Sequence, residues 1–122
     1  MKTCWDMDVI GDACIVRCAC PLTHEHYENI LLLFDQVVQK PNLTRLFFIL
    51  NHAEDIDATG LSALIHLHAL MADGGRKLYI CLPPPNLKEM LAERGLTDFL
   101  RILEKEEEMV LRLPEENRPI GF

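Results

Sequence analysis

Residues 46–61 have the sequence LFFILNHAEDIDATGL, and they decide the fold class of this chain. The apolar run Leu46–Leu50 lies between turn signals, a pattern typical of a strand that is buried on both faces of a parallel sheet. The polar, acidic stretch Asn51–Asp57 then predicts a loop, and a helix is expected to begin near Asp57–Gly60. A buried strand that passes through a short loop into a helix indicates an α/β protein.

Upstream of this stretch the sequence predicts a hairpin and then a helix. Trp5–Ile10 and Cys14–Cys20 have the composition of short strands, and Gly11 and Asp12 form a tight-turn pair between them. Thr23 is positioned to cap the helix that follows. The apolar stripe expected on the inner face of this helix is Tyr27, Ile30, Leu31, Phe34, Val37 and Val38.

Downstream of residue 61 the alternation of helices and strands continues. Gly74 and Gly75 are expected to end the second helix, since glycine tolerates the left-handed conformation of a helix end. Asn86, with Glu89 three residues later, resembles a capping box at the start of a third helix. The remaining expected features are an inner face of the second helix at Leu61, Leu64, Ile65, His68 and Ala72, strands at Lys77–Leu82 and Phe99–Leu103, and a last helix at Glu104–Leu113.

This element order predicts a single α/β domain over residues 1–113, followed by a C-terminal tail at residues 114–122. An N-terminal β-hairpin precedes the alternating helices and strands. We therefore expect a mixed, mostly parallel sheet of about five strands with about four helices, connected by right-handed crossovers.

Composition restricts the classes of partner. The 122 residues carry a formal net charge of -7, which disfavours binding to nucleic acid or to an acidic membrane surface. Apolar runs are too short for membrane insertion. Asp6 and Asp8 stand where a signal peptide would have its apolar core, so a cytoplasmic location is predicted. Five cysteines, an odd number, fit a reducing compartment better than a disulfide framework.

Three predicted loops, Pro21–His26, Asn51–Gly60 and Leu82–Asn86, follow strands and should reach the edge of the sheet where α/β proteins bind ligands. The middle loop leads into a helix N-terminus, where unpaired N–H groups and a partial positive charge stabilise anions. Asp57 or Thr59 would cap this helix. A hydroxyl at this position would suit a phosphorylation switch, and a plain helix cap is the simpler interpretation.

The segment Ile56-Asp57-Ala58-Thr59-Gly60-Leu61 resembles the STAS domain signature, which is Asp-Ser-Ser-Gly-Leu or Asp-Ser-Thr-Gly-Leu in the bacterial anti-sigma-factor antagonists. The resemblance spans roughly residues 5–112. It includes the Gly-Gly-Arg-Lys-Leu-Tyr-Ile entry into the next strand and the segment Glu93-Arg94-Gly95-Leu96, followed by Phe99.

The resemblance implies a noncatalytic role in partner switching, without cofactor or metal. Its partner would be an anti-sigma factor that is also a serine kinase. In this family the phosphoacceptor is normally the Ser or Thr directly after the signature Asp, and here that position is Ala58. Thr59 is then the candidate substitute acceptor, although we expect no stoichiometric phosphorylation at residues 58–59. The expected partner-binding residues are Asp57, Ala58, Thr59, Gly60, Leu61, Ser62 and Ile65.

Two other functions remain open, and the oligomeric state is not predicted. One is an accessory subunit of a membrane transporter, a role of other STAS-like domains. The other is a small enzyme that uses His52 in the acidic loop, or the thiols. Cys14, Cys18 and Cys20 are expected to be small core residues. The alternative, a zinc site formed by Cys18, Cys20, His24 and His26, has an unfamiliar ligand spacing.

Overall fold

The computed structural model describes residues 4–40, 42–53 and 55–112, and its framework is one five-stranded sheet. The strands follow one another in the order β1-β2-β3-β4-β5, with β1 antiparallel to β2 and every other pair parallel. The predicted α/β class, with an N-terminal hairpin, five strands and four helices, is confirmed. The strands are β1 (Trp5–Ile10), β2 (Ala13–Cys18), β3 (Arg45–Ile49), β4 (Lys77–Cys81) and β5 (Arg101–Leu103), and the helices are α1 (Tyr27–Val38), α2 (Ala58–Asp73), α3 (Pro85–Glu93) and α4 (Glu106–Val110), with a 3-10 turn at His24–His26.

The hairpin turn consists of Gly11 and Asp12, as predicted. Gly11 has φ +60, a left-handed conformation that glycine adopts without steric cost. The carboxylate of Asp12 accepts hydrogen bonds from the Thr44 hydroxyl and, at 2.9 Å, from Nη2 of Arg45. These bonds hold the pKa of Asp12 below its ordinary value, and they attach the hairpin turn to the start of β3.

Both faces of the sheet are buried. Leu46 and Phe48 on β3 belong to the core shared with α1, α2 and α3, and Phe47 and Ile49 belong to the opposite core, which includes Met109 of α4. Successive side chains of a strand point to opposite faces, so a strand covered on both sides needs an unbroken apolar run. This explains why residues 46–50 have no polar member.

The predicted inner face of α1 was partly wrong. Ile30, Leu33, Phe34 and Val37 are buried, whereas the predicted core residues Tyr27 and Leu31 are 42% and 41% exposed. Five consecutive apolar residues, 30–34, allow more than one stripe at helical spacing. The packing against the sheet selects the stripe that contains Leu33.

The predicted inner face of α2 was also partly wrong. Leu61 and Leu64 are buried as expected, but Ile65 and His68 are only half-buried and Ala72 is exposed. The buried positions continue instead with Leu67 and Met71, which keep the i, i+3, i+7 spacing from Leu64.

Two capping predictions were wrong. Thr23 makes no side-chain cap and instead places its hydroxyl 3.2 Å from Nδ1 of His26. Asn86 lies inside α3, which begins at Pro85 after the N-cap residue Pro84. The predicted last strand and last helix are shorter in the structure, and the predicted tail at residues 114–122 lies outside the described residues.

The cysteines differ from the expectation of free core thiols. Cys4 and Cys20 form a disulfide, with their Cα atoms 5.1 Å apart. Cys14, Cys18 and Cys81 are free and buried, as small core residues.

Candidate protein-binding site

Asp57 is the N-cap residue of α2. Its backbone is extended, and its Oδ1 accepts a hydrogen bond of 2.9 Å from the backbone N–H of Gly60. Its Oδ2 accepts a bond of 3.0 Å from the backbone N–H of His24 and lies 3.3 Å from Nδ1 of the same residue. The bond from Gly60, followed by the contacts with His24, lowers the pKa of Asp57 from its ordinary value. Asp57 therefore caps the helix as an ionised carboxylate at neutral pH.

Leu22 holds the start of α2 against the chain that leaves β2. Its N–H donates to the Asp55 carbonyl at 2.8 Å, and its own carbonyl accepts from the N–H of Asp57 at 3.1 Å. A Cβ atom on Gly60 would overlap this carbonyl group. Position 60 thus requires glycine because two backbone segments approach closely, and the first turn of α2 is fixed in place by that approach.

The three loops that were expected at one edge of the sheet do meet. Leu22 belongs to the first loop and Asp57 to the second, and Asn86 reaches them from the third. Nδ2 of Asn86 donates to the Ile56 carbonyl at 3.3 Å and lies 3.4 Å from Oδ1 of Asp55. The contribution of Asn86 to the loop was missed, because its spacing from Glu89 had suggested a helix cap.

The residues expected to bind a partner divide by exposure. Ala58 and Ser62 are exposed and Thr59 is half-buried, so all three present atoms to solvent near the capped helix end. Gly60 and Leu61 are buried and therefore support the exposed residues without contacting a partner themselves. The remaining member of the predicted set, Ile65, is half-buried and packs against the core.

An open groove runs between α1 and α2, beside Ala58, with a volume of about 450 Å³. Its α1 wall includes Tyr27 and Leu31, the two residues that had been expected in the core. Their exposure places apolar side chains beside the exposed start of α2. We call this feature the α1–α2 groove, and its lining residues are Tyr27, Leu31, Phe34, Ala58, Thr59, Ser62, Ala63 and His66.

The residues considered for catalysis or metal binding do not join this groove. His52 is exposed and borders a separate surface depression, together with Cys4 and Asn51. Cys20 is bonded to Cys4, so the disulfide form offers no Cys20 thiolate to a zinc ion. Across residues 4–40, 42–53 and 55–112, no three His, Cys, Asp or Glu side chains are placed to hold a metal ion.

The arrangement of helix start, loops and sheet is one that a known family shares. A family model of the STAS domain matches residues 5–109. The chain belongs to the STAS domain family. The family that the segment 56–61 had suggested is thereby confirmed.

Several solved structures share the fold at low sequence identity. A candidate anti-sigma factor antagonist from Thermotoga maritima matches with a TM-score of 0.78 and 17% identity, over 89% of this chain and 93% of that one. The Bacillus cell fate determinant SpoIIAA, in its phosphorylated form, matches with a TM-score of 0.67 and 15% identity, over 88% and 97%. A sulfate transporter family protein from Wolinella succinogenes matches with a TM-score of 0.67 and 18% identity, over 83% and 84%.

Proposed function

We propose that this STAS domain is a noncatalytic protein-interaction module in bacterial signalling, and that it acts as an anti-sigma-factor antagonist. Its partner is an anti-sigma factor that is also a serine kinase. The partner binds the start of α2 and the α1–α2 groove. Structural similarity to SpoIIAA, which is named an anti-sigma factor antagonist, supports this choice among the roles of the family.

The observation that carries the proposal is the exposure of Ala58 at the first position of a capped helix, beside an apolar groove. Tyr27 and Leu31 offer apolar surface, and Thr59 and Ser62 offer hydroxyl groups for hydrogen bonds. A surface of this kind suits a protein partner that buries a few apolar side chains with a polar rim.

The same position suggests how the module is regulated. Ala58 has no oxygen to phosphorylate, so the usual switch of the family is missing. Thr59 is the substitute acceptor, but it is half-buried whereas position 58 is exposed, and a kinase must reach the hydroxyl group that it phosphorylates. We therefore propose that the domain binds its partner constitutively, without stoichiometric phosphorylation at residues 58–59.

Affinity capture from the native cell tests the proposal with three variants. Ala58→Asp places a carboxylate at the switch position and should reduce the captured partner by about tenfold or more, since a charge at the centre of an interface is costly. Asp57→Ala should also weaken capture, because it removes the helix cap. The matched control is Ala69→Asp, an exposed position on the same helix outside the groove. Capture unchanged by both Ala58→Asp and Asp57→Ala would contradict the proposed interface.

A role as a transporter subunit is the second candidate. It is favoured by the Wolinella sulfate transporter family protein, whose TM-score of 0.67 equals that of phosphorylated SpoIIAA. In the part of the chain that the structure describes, no helix is long and apolar enough to cross a membrane. The capture experiment separates the two roles by the protein recovered, which would be a kinase-like anti-sigma factor or a transporter subunit.

A further inference from the structure

The Cys4–Cys20 disulfide closes the open end of the β1–β2 hairpin. The backbone N–H of Ala19 donates to the Cys4 carbonyl at 2.8 Å, which extends the hairpin ladder past its last pair, Trp5 with Cys18. Cys4, the acceptor of this bond, is joined through the disulfide to Cys20, the residue after the donor Ala19. It therefore fixes covalently the point at which the chain leaves β2.

A short segment connects this point to the start of α2. Leu22 stands two residues after Cys20, and its backbone is bonded to both Asp55 and Asp57. His24, two residues further on, donates its N–H to the Asp57 carboxylate. Residues 20–24 thus connect the disulfide to Asp57, the residue that caps α2.

The two cysteines of the disulfide differ in exposure. Cys4 is half-buried and borders the open depression that contains Asn51 and His52, whereas Cys20 is only 2% exposed. Cys4 is therefore the cysteine of the pair that an incoming thiolate approaches more readily. The difference makes the sulfur of Cys4 the attacked atom and the thiolate of Cys20 the leaving group.

The remaining cysteines are poor competitors for exchange. Cys14, Cys18 and Cys81 are buried, and burial raises the pKa of Cys18 to about 11 and that of Cys81 to about 12. Because only a thiolate is a good nucleophile, these thiols stay unreactive at neutral pH.

We propose that Cys4 and Cys20 form a thiol–disulfide exchange site that couples the redox state of low-molecular-weight thiols to the order of the α2 start. In a reducing compartment the pair is a dithiol, and the segment 20–24 is held by hydrogen bonds and by the core packing of Leu22, without a covalent link to β1. When small-molecule disulfides accumulate, the pair closes and the segment is anchored to β1. The disulfide form presents the Asp57-capped helix end more rigidly than the dithiol form.

The chemistry uses a small disulfide such as glutathione disulfide as the oxidant. The Cys4 thiolate attacks one sulfur of the oxidant, so that a mixed disulfide forms and one glutathione thiolate leaves. Cys20 is as buried as the other thiols but lies next to Cys4, so its thiolate attacks the Cys4 sulfur intramolecularly and expels the second glutathione. Two electrons pass from the protein thiols to the small disulfide, whose products take up the two protons. Reduction by excess glutathione reverses both steps.

Amide hydrogen exchange of the isolated chain tests the coupling in both redox forms. The chain is first reduced. After treatment with glutathione disulfide, the intact protein should be lighter than the reduced protein by the mass of two hydrogen atoms. After reduction, the amides of Leu22, His24 and Asp57 should exchange about tenfold faster, because local opening costs less without the anchor. The amides of Arg76 and Leu96, which bond to Met71 and Leu91, are internal controls and should not change.

Cys4→Ser is the deciding variant, since it removes the thiol of the more exposed cysteine and leaves the buried Cys20 in place. Its exchange at Leu22 and Asp57 should match that of reduced wild type, with or without the oxidant. An unchanged mass after oxidation would overturn the exchange site. Equal exchange rates in the oxidised and reduced forms would overturn the coupling. The experiment needs no partner, so either failure leaves the proposed docking surface untouched.

Discussion

The carbonyl group of Leu22 fills the space in which a Cβ atom would stand on Gly60. This close approach joins the segment that leaves β2 to the first turn of α2. It places Ala58 and Ser62, which flank Gly60 on the exposed side of the helix, at a fixed position beside the α1–α2 groove. The geometry of the candidate interface therefore depends on backbone packing that a single methyl group would disturb.

Gly60→Ala should destabilise the domain strongly. The added methyl group must push the Leu22 backbone away or shift the helix, and overpacking of this kind costs about 3 kcal/mol of the free energy of unfolding. Urea unfolding measures the change. Gly74→Ala is the matched control, because a Cβ there meets atoms only at 3.7 Å and beyond. Its effect should stay within about 0.5 kcal/mol, and equal losses in the two variants would contradict the close approach.

Asp57→Ala should lower the free energy of unfolding by about 1 kcal/mol at neutral pH, since the helix loses its N-cap. The pKa of Asp57 is lowered in the folded protein from an ordinary value of 3.8. Its contribution is therefore fully present above pH 3.8 and is lost as the pH falls through the folded-state pKa. Unfolding measured in steps from neutral to acid pH should show the two proteins converging. A difference that persists in acid would show that the ionised cap is not its cause.

Ala58→Ser should turn the domain into a phosphorylation substrate. The substitution restores the hydroxyl that the family signature carries directly after its Asp, at an exposed position. After incubation with a serine kinase that acts on STAS antagonists in the same cell, intact mass should show one added phosphoryl group on the variant and none on wild type. Fragment mass spectra should place it at residue 58. A stoichiometric phosphoryl group on Thr59 of the wild type would contradict the proposed regulation.

Leu31→Glu should abolish partner binding while leaving the domain folded. Leu31 lines the α1–α2 groove and is 41% exposed, so a carboxylate there faces the partner and not the core. Leu32 is its matched control, because it is adjacent, 50% exposed and outside the groove lining. The amount of captured partner is measured, and unfolding curves show whether each variant is folded. Equal capture by Leu31→Glu and Leu32→Glu would show that the groove is not the docking surface.

Alkylation of the reduced native protein should label Cys4 first. Cys14, Cys18 and Cys81 are buried, with pKa values raised by desolvation, and they should react at about pH 8 only after denaturation. Peptide mass spectrometry after timed alkylation identifies the modified cysteine. Rapid labelling of Cys18 in the native protein would contradict its burial.

Local pattern was sufficient to predict the element order but not the rotation of each helix. Residues 30–34 are all apolar, so the sequence of α1 permits both the stripe through Leu31 and the one through Leu33. Only packing against the sheet selects between them. The groove went unpredicted for the same reason, since it exists because Tyr27 and Leu31 are turned outwards.

The candidate site was predictable where a residue acts within its own segment. Asp57 caps the helix that it precedes, so its role follows from local sequence. The contacts of Leu22, Asn86 and Cys4 with distant residues arise from tertiary structure, and no local spacing predicts them. Asn86 is an example. Its spacing from Glu89 is typical of a helix cap, but its side chain bonds to the loop before α2.

Photo-crosslinking in the native cell tests the docking surface most directly. A photoreactive residue is placed either at Ser62, in the groove, or at Ala69, exposed on the same helix outside it. Irradiation should produce one crosslinked species from position 62, containing an anti-sigma factor, and none from position 69. Crosslinking of that partner from position 69 and not from position 62 would contradict the account.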